Sequence, residues 1–146
     1  MIRIIAIIAA GVAAAVLTAA AAADAVYHTA QVPLHGIGTA PGGGQVINIH
    51  ANGPVVFAHE VYLLQGAAPG TYQVTLHVYP GSTNCTGSVV LIPTATLETN
   101  SVGNGKADAV FTPADANGLH GLTLSAYWTV NGPAAYATDC SIITLD

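Results

Sequence analysis

Six histidines and two cysteines hold most of the chemistry open to this chain of 146 residues. Neutral imidazole is the commonest ligand for copper and zinc, so His28, His35, His50, His59, His77 and His120 raise the question of a metal centre. Their spacing gives little support, because no His-x-His or His-x-x-x-His pair sets two ligands on one strand face or one helix turn. A site would require convergence in space. His59 and His77 form the best pair, since they fall on consecutive predicted strands joined by the turn region Gln65 to Thr71. If Val55, Phe57, Val61 and Leu63 face the core, His59 faces inward, whereas His77, alternating with Val74, Leu76 and Val78, faces solvent. The simpler expectation is six ordinary strand or loop histidines and no metal ligand. Cys85 and Cys140 lack the C-x-x-C spacing of redox or metal pairs and are expected to form a disulfide. The loop closed is about 56 residues long, for which chain entropy gives up to about 4 kcal/mol of stabilisation.

Other candidate chemistries fail on their spacing. His59-Glu60-Val61-Tyr62-Leu63 begins like a zinc-protease signature, but Leu63 stands where the second histidine belongs and the segment reads as strand. Gly118-Leu119-His120-Gly121 is faintly similar to copper-zinc superoxide dismutase, without that family's paired copper-site histidines. Asp115-Ala116-Asn117-Gly118 starts like a calcium loop, yet Leu119 and His120 replace oxygen donors and no glutamate closes it. Gly42-Gly43-Gly44 has no lysine or helix with which to cradle a phosphate. No G-x-S-x-G elbow presents a serine nucleophile, and Glu60, Glu98, Asp108, Asp115 and Asp139 read as surface carboxylates. Asn84-Cys85-Thr86 matches a glycosylation sequon by coincidence, its centre being the expected disulfide cysteine. No catalytic or cofactor-binding residue is assigned.

The elements that must position these residues follow from composition. Charged residues make up 6% of the chain against about 25% in typical globular proteins, while apolar residues reach 52%, which argues against disorder and against nucleic-acid binding. Residues 1–25 form a signal peptide in outline: Arg3, then an apolar run from Ile4 to Leu17, then alanines up to Ala23-Asp24-Ala25. Cleavage is expected after Ala25, with Ala23 the second choice. An uncleaved segment would be the chain's only membrane contact. Export to a periplasmic, cell-envelope or secreted location would supply the oxidising space that the two cysteines need.

Residues 26–146 read as one all-β domain. Tyr72, Val74, Leu76 and Val78 alternate with Gln73, Thr75, His77 and Tyr79; Leu122, Leu124, Ala126, Trp128 and Val130 alternate with Thr123, Ser125, Tyr127 and Thr129. Further runs span 27–35, 45–51, 55–64, 89–97, 106–112 and 134–145, about eight strands in all. Asn-Gly pairs at Asn52, Asn104, Asn117 and Asn131 supply tight-turn positions. A three-residue Asn131-Gly132-Pro133 loop would set Trp128 opposite Tyr136, Leu124 opposite Cys140 and Leu122 opposite Ile142, all on one face.

From Tyr72 to Asp146 the chain resembles small exported bacterial β-sandwich proteins of unassigned function. The likeness is carried by Cys85, the run Pro93-Thr94-Ala95-Thr96-Leu97, Phe111-Thr112-Pro113-Ala114-Asp115 and the segment from Cys140 onward. Strand number, turn spacing and the disulfide favour an immunoglobulin-like antiparallel β-sandwich of about seven or eight strands, with a barrel as the alternative. Trp128 departs from the immunoglobulin pattern by lying only twelve residues before the second cysteine.

The functional expectation is an exported, non-catalytic binding, adhesion or structural module. Its partner would be a protein, a glycan or a second copy, met by loops at the sandwich ends. Tyr27, Tyr62, Tyr79 and Tyr127 are candidate exposed aromatics for such a contact. The alternative is an extracytoplasmic copper- or zinc-binding protein using scattered histidines.

Overall fold

The structure is a computed structural model that describes residues 26–52, 58–112 and 122–144. The expected signal peptide, Val55, Phe57, the 115–118 loop and His120 lie outside the described residues, as do the side chains of Tyr27, His28 and His50. All regular structure among the described residues is strand: β1 (Val26–Gly36), β2 (Gly43–Asn52), β3 (Ala58–Gln65), β4 (Gly70–Pro80), β5 (Val90–Thr99), β6 (Gly105–Phe111), β7 (Thr123–Asn131), β8 (Ala135–Thr138) and β9 (Ser141–Thr144). Each long strand follows an alternating stretch of the sequence, as in β4, where Tyr72, Val74, Leu76 and Val78 are buried between more exposed neighbours.

These strands form one antiparallel sheet rolled into a barrel, which corrects the expectation of a two-sheet, immunoglobulin-like sandwich. The order β4-β5-β6-β3-β2-β1-β8-β7 returns on itself because β7 also pairs with β4, from Gln73↔Asn131 to Pro80↔Leu124. In a sandwich β4 and β7 would each end a sheet; here each finds a partner on both sides. Eight staves enclose an interior that side chains alone can fill. Trp128, Tyr62, Tyr72 and Tyr136 fill it, all fully buried, with Leu34, Val46, Leu64, Val74, Leu97 and Val130 around them. Burying each such large side chain stabilises the fold by about 1.5–3 kcal/mol.

Two registers differ from expectation. The β7–β8 connection has three residues as anticipated, but they are Gly132, Pro133 and Ala134, since Asn131 pairs with Ala135 and Val130 with Tyr136. Moving the pairing by two residues preserves the facing, so Trp128 and Tyr136 still share the interior. Beyond Thr138 an extra residue intervenes before Leu124 pairs with Ile143, and the last strand divides into β8 and β9. The Thr138 hydroxyl accepts the Trp128 backbone N–H at 3.0 Å at this bulge. Ile142 is turned outward as a result, and Leu122, one residue before β7, is also exposed. The expected pairings Leu124–Cys140 and Leu122–Ile142 are therefore replaced.

One end of the barrel is closed by the β3–β4 connection. Ala67 is buried there and donates its backbone N–H to Gly103 O at 3.0 Å, while the Tyr72 hydroxyl donates to Ala68 O at 2.6 Å. Gly103 has φ of 79° in the β5–β6 turn, and a Cβ on it would meet Ala67 O at 2.0 Å; both facts require glycine.

Candidate functional site

The polar centre of the barrel is Glu60. In β3 the residues facing inward are Glu60, Tyr62 and Leu64, so the facing expected from Val61 and Leu63 is reversed, and His59 lies on the outer wall. The Glu60 carboxylate is 2% exposed and accepts three hydrogen bonds. Asn48 Nδ2 donates to Oε1 at 2.8 Å, the Tyr62 hydroxyl donates to Oε2 at 2.5 Å, and Trp128 Nε1 donates to Oε2 at 2.8 Å. Burial raises the Glu60 pKa, and the hydrogen bonds from Tyr62, Trp128 and Asn48 oppose that rise. The same burial, with Glu60 adjacent, raises the Tyr62 hydroxyl and keeps it a donor. Neutral dipoles on three strands thus converge on one acidic group. Tyr62, expected among exposed tyrosines, is completely buried because its hydroxyl has this partner.

A second cluster occupies the outer wall. His77 on β4 lies opposite Tyr127 on β7, their rings stacked at 4.3 Å and 14°, with Tyr79 stacked against Tyr127 at 6.1 Å. His77 Nε2 is 3.0 Å from Thr129 Oγ1, and burial lowers the imidazole's pKa. Leu91 pairs with His77 from the other side and is 57% exposed; Ile142, opposite Ser125 on β9, is 61% exposed. The band Leu91, His77, Tyr127, Ile142 therefore crosses four adjacent strands.

The disulfide fixes one border of this band. Cys85 and Cys140 are joined, with Cα atoms 5.9 Å apart, as expected from the sequence. Cys85 donates its backbone N–H to Ser125 Oγ at 2.9 Å and has φ of 54°, so the β4–β5 loop folds back over β7 and is tied to the β8–β9 bulge. Ser82 and Asn84 brace that loop: the Ser82 hydroxyl donates to Asn84 Oδ1 at 3.0 Å and accepts the Thr86 N–H at 3.3 Å.

Among the described side chains, His35, His59 and His77 do not assemble. His59 on β3 and His77 on β4 are separated in the sheet by β6 and β5. His59 Nε2 is 3.6 Å from Asp108 Oδ2 and His35 Nε2 is 3.9 Å from Asp139 Oδ2, both on the outside. Among the described residues no group of three or more His, Cys, Asp or Glu converges to hold a metal ion. The sequence did not point to this cluster: Glu60 reads there as a surface carboxylate and Tyr62 as an exposed tyrosine, and the partners Asn48 and Trp128 come from distant strands.

No family model, no curated protein and no solved structure matches this chain. What can be said of function therefore rests on its own geometry: a filled barrel with no described metal cluster, and an aromatic and aliphatic outer band held in place by a disulfide.

Proposed function

We propose that the chain is an exported, non-catalytic binding module that meets a protein partner through the outer band Leu91, His77, Tyr127 and Ile142. The observation that carries this reading is the exposure of Leu91 and Ile142 on either side of the stacked His77–Tyr127 pair. Aliphatic side chains beside an aromatic stack match the apolar centre of a protein–protein contact, whereas a sugar site needs polar donors around an aromatic face. The barrel wall thus takes the place of the end loops favoured by the sequence. The Cys85–Cys140 bond is consistent with an oxidising, extracytoplasmic location, which supports export by residues 1–25.

A panel of purified envelope proteins and glycans, probed with the wild-type chain and with Leu91→Glu, tests the proposal. Saturable binding to a protein that is lost in the variant is expected; binding confined to glycans, or indifferent to Leu91→Glu, contradicts it.

A second reading, a copper- or zinc-binding protein, draws on one register position: β1 and β2 set His28 opposite His50. Metal analysis after addition of copper or zinc decides it, uptake of one equivalent favouring this reading.

A further inference from the structure

Trp128 and Tyr62 direct their protons at the same atom. The indole Nε1 donates to Glu60 Oε2 at 2.8 Å and the Tyr62 hydroxyl donates to it at 2.5 Å, so one carboxylate oxygen separates the two aromatic donors. A spacing of 2.5 Å is that of a charge-assisted O–H···O⁻ bond, and both protons lie within reach of the base. The other two tyrosines that fill the barrel are bonded differently: Tyr72 donates to Ala68 O and Tyr136 to Pro41 O, each at 2.6 Å. A peptide carbonyl takes no proton near neutral pH, whereas a carboxylate can. The Tyr62 oxygen has a further partner in the Thr94 hydroxyl, which reaches it from β5.

This arrangement meets what one-electron oxidation of a buried aromatic ring requires. Loss of an electron turns an indole or a phenol into a strong acid, and a ring cation is costly in an interior of low dielectric unless its proton leaves too. Trp128 and Tyr62 are 0% exposed, so neither proton reaches solvent, and Glu60 is the base that both of them touch. The wall around them is one strand thick. Electrons tunnel through such a layer, so an oxidant outside need not enter the barrel.

We propose that Trp128, Glu60 and Tyr62 form a one-electron oxidation site, which takes an oxidising equivalent from an inorganic radical oxidant and keeps it as a phenoxyl radical on Tyr62. In the first step the oxidant gains one electron from the indole, and the Nε1–H bond breaks as its proton passes to Glu60 Oε2. A neutral indolyl radical and a carboxylic acid result. In the second step an electron passes from Tyr62 to the indolyl radical; the acid returns its proton to Nε1 while the phenolic proton crosses to the carboxylate. The net change is one electron lost, Trp128 restored, a phenoxyl radical on Tyr62 and one proton held by Glu60. That proton and the Thr94 hydroxyl both serve the phenoxyl oxygen, which has become purely an acceptor. Tyr62 is the terminus because its proton alone among those of the buried tyrosines meets a base. This site goes beyond the outer-band reading, and either stands if the other fails.

The test is pulse radiolysis of the full chain with the azidyl radical, which becomes azide on gaining one electron, in mildly alkaline buffer that ionises Glu60. Trp128 is the chain's one tryptophan, so the indolyl absorption reports it alone. That absorption is expected to decay at the rate at which the phenoxyl absorption grows, independently of protein concentration and more slowly in deuterated water. Glu60→Gln keeps an acceptor oxygen but no base, and should slow the transfer by at least about 100-fold. Tyr62→Phe should leave the indolyl radical without its successor. The deuterium comparison needs no altered protein, so it decides the matter even if a variant fails to fold. Indolyl decay without matching phenoxyl growth, a rate unchanged in deuterated water, or transfer at the wild-type rate in Glu60→Gln overturns the proposal. Undiminished phenoxyl growth in Tyr62→Phe also overturns it, by giving the radical to another tyrosine.

Discussion

Trp128 and Glu60 are 68 residues apart in sequence, and a 2.8 Å hydrogen bond from the indole Nε1 to the carboxylate Oε2 joins them inside the barrel. This contact ties β7 to β3 across the interior, since the two strands lie well apart in the ring of pairings. A buried carboxylate is costly unless its lone pairs are occupied, and here Asn48, Tyr62 and Trp128 occupy them. Because all three partners donate, any substitution that cannot accept leaves several buried donors stranded.

Glu60→Leu is expected to destabilise the fold by about 3 to 5 kcal/mol, because the Tyr62 hydroxyl, the Trp128 indole and the Asn48 amide all lose their acceptor. Glu60→Gln keeps one acceptor oxygen and should cost less, about 1 to 2 kcal/mol. Chemical denaturation followed by the fluorescence of Trp128, the chain's one tryptophan, measures both. Equal stability of Glu60→Leu and wild type would show that the cluster holds nothing together.

The direction of the Glu60 shift sets a pH dependence. Its folded pKa is raised above the ordinary 4.5, so the protonated form is favoured in the fold. The resulting stabilisation is complete below about pH 4.5 and is lost as pH rises through the folded value. His77 acts in the opposite sense: its folded pKa is lowered from 6.5, so its contribution is present above that pH and is lost as pH falls through the lower folded value. Unfolding midpoints from pH 4 to 8 for wild type, Glu60→Gln and His77→Gln separate the two. Glu60→Gln should remove the loss on the alkaline side, and His77→Gln the loss on the acid side.

Reduction of the Cys85–Cys140 bond should lower the unfolding midpoint by more than about 10 °C, from a loss of up to about 4 kcal/mol. Calorimetry with and without a reductant checks this. The Cys85→Ser/Cys140→Ser chain should match the reduced protein and no longer respond to reductant.

Two glycines separate backbone strain from crowding. Gly38 has φ of 67° with open space around its added Cβ, so Gly38→Ala should cost only about 1 kcal/mol. Gly103 combines φ of 79° with backbone 2.0 Å from the added Cβ, and Gly103→Ala should cost at least about 2 kcal/mol. Similar losses in the two variants would contradict the packing of Gly103 on Ala67.

Much of the fold was legible because alternation is a local signal. Strand positions from β1 to β7 followed apolar and polar residues two apart, and Cys85 and Cys140 were the only thiols available to pair. Closure was not legible, because the pairing of β4 with β7 joins segments some fifty residues apart and leaves no mark on either strand's pattern. The facing of β3 was misread for a different reason. Val61 and Leu63, which continue the alternation of Val55 and Phe57, are as apolar as Tyr62 and Leu64, so the period-two pattern suits either face. Only the arrival of Asn48 and Trp128 from other strands makes an inward glutamate favourable. The outer band was half visible: Tyr79 and Tyr127 were expected on the wet faces, but Ile142 reaches the outside only through the bulge after Thr138.

The most direct test of the proposed binding surface is the affinity of the chain for a protein that binds it in the panel, measured for wild type and for Leu91→Glu/Ile142→Glu. At least about 100-fold weaker binding, near 2.7 kcal/mol, with an unchanged melting temperature is the expected result. Undiminished affinity in a variant that folds normally would contradict the assignment of that face.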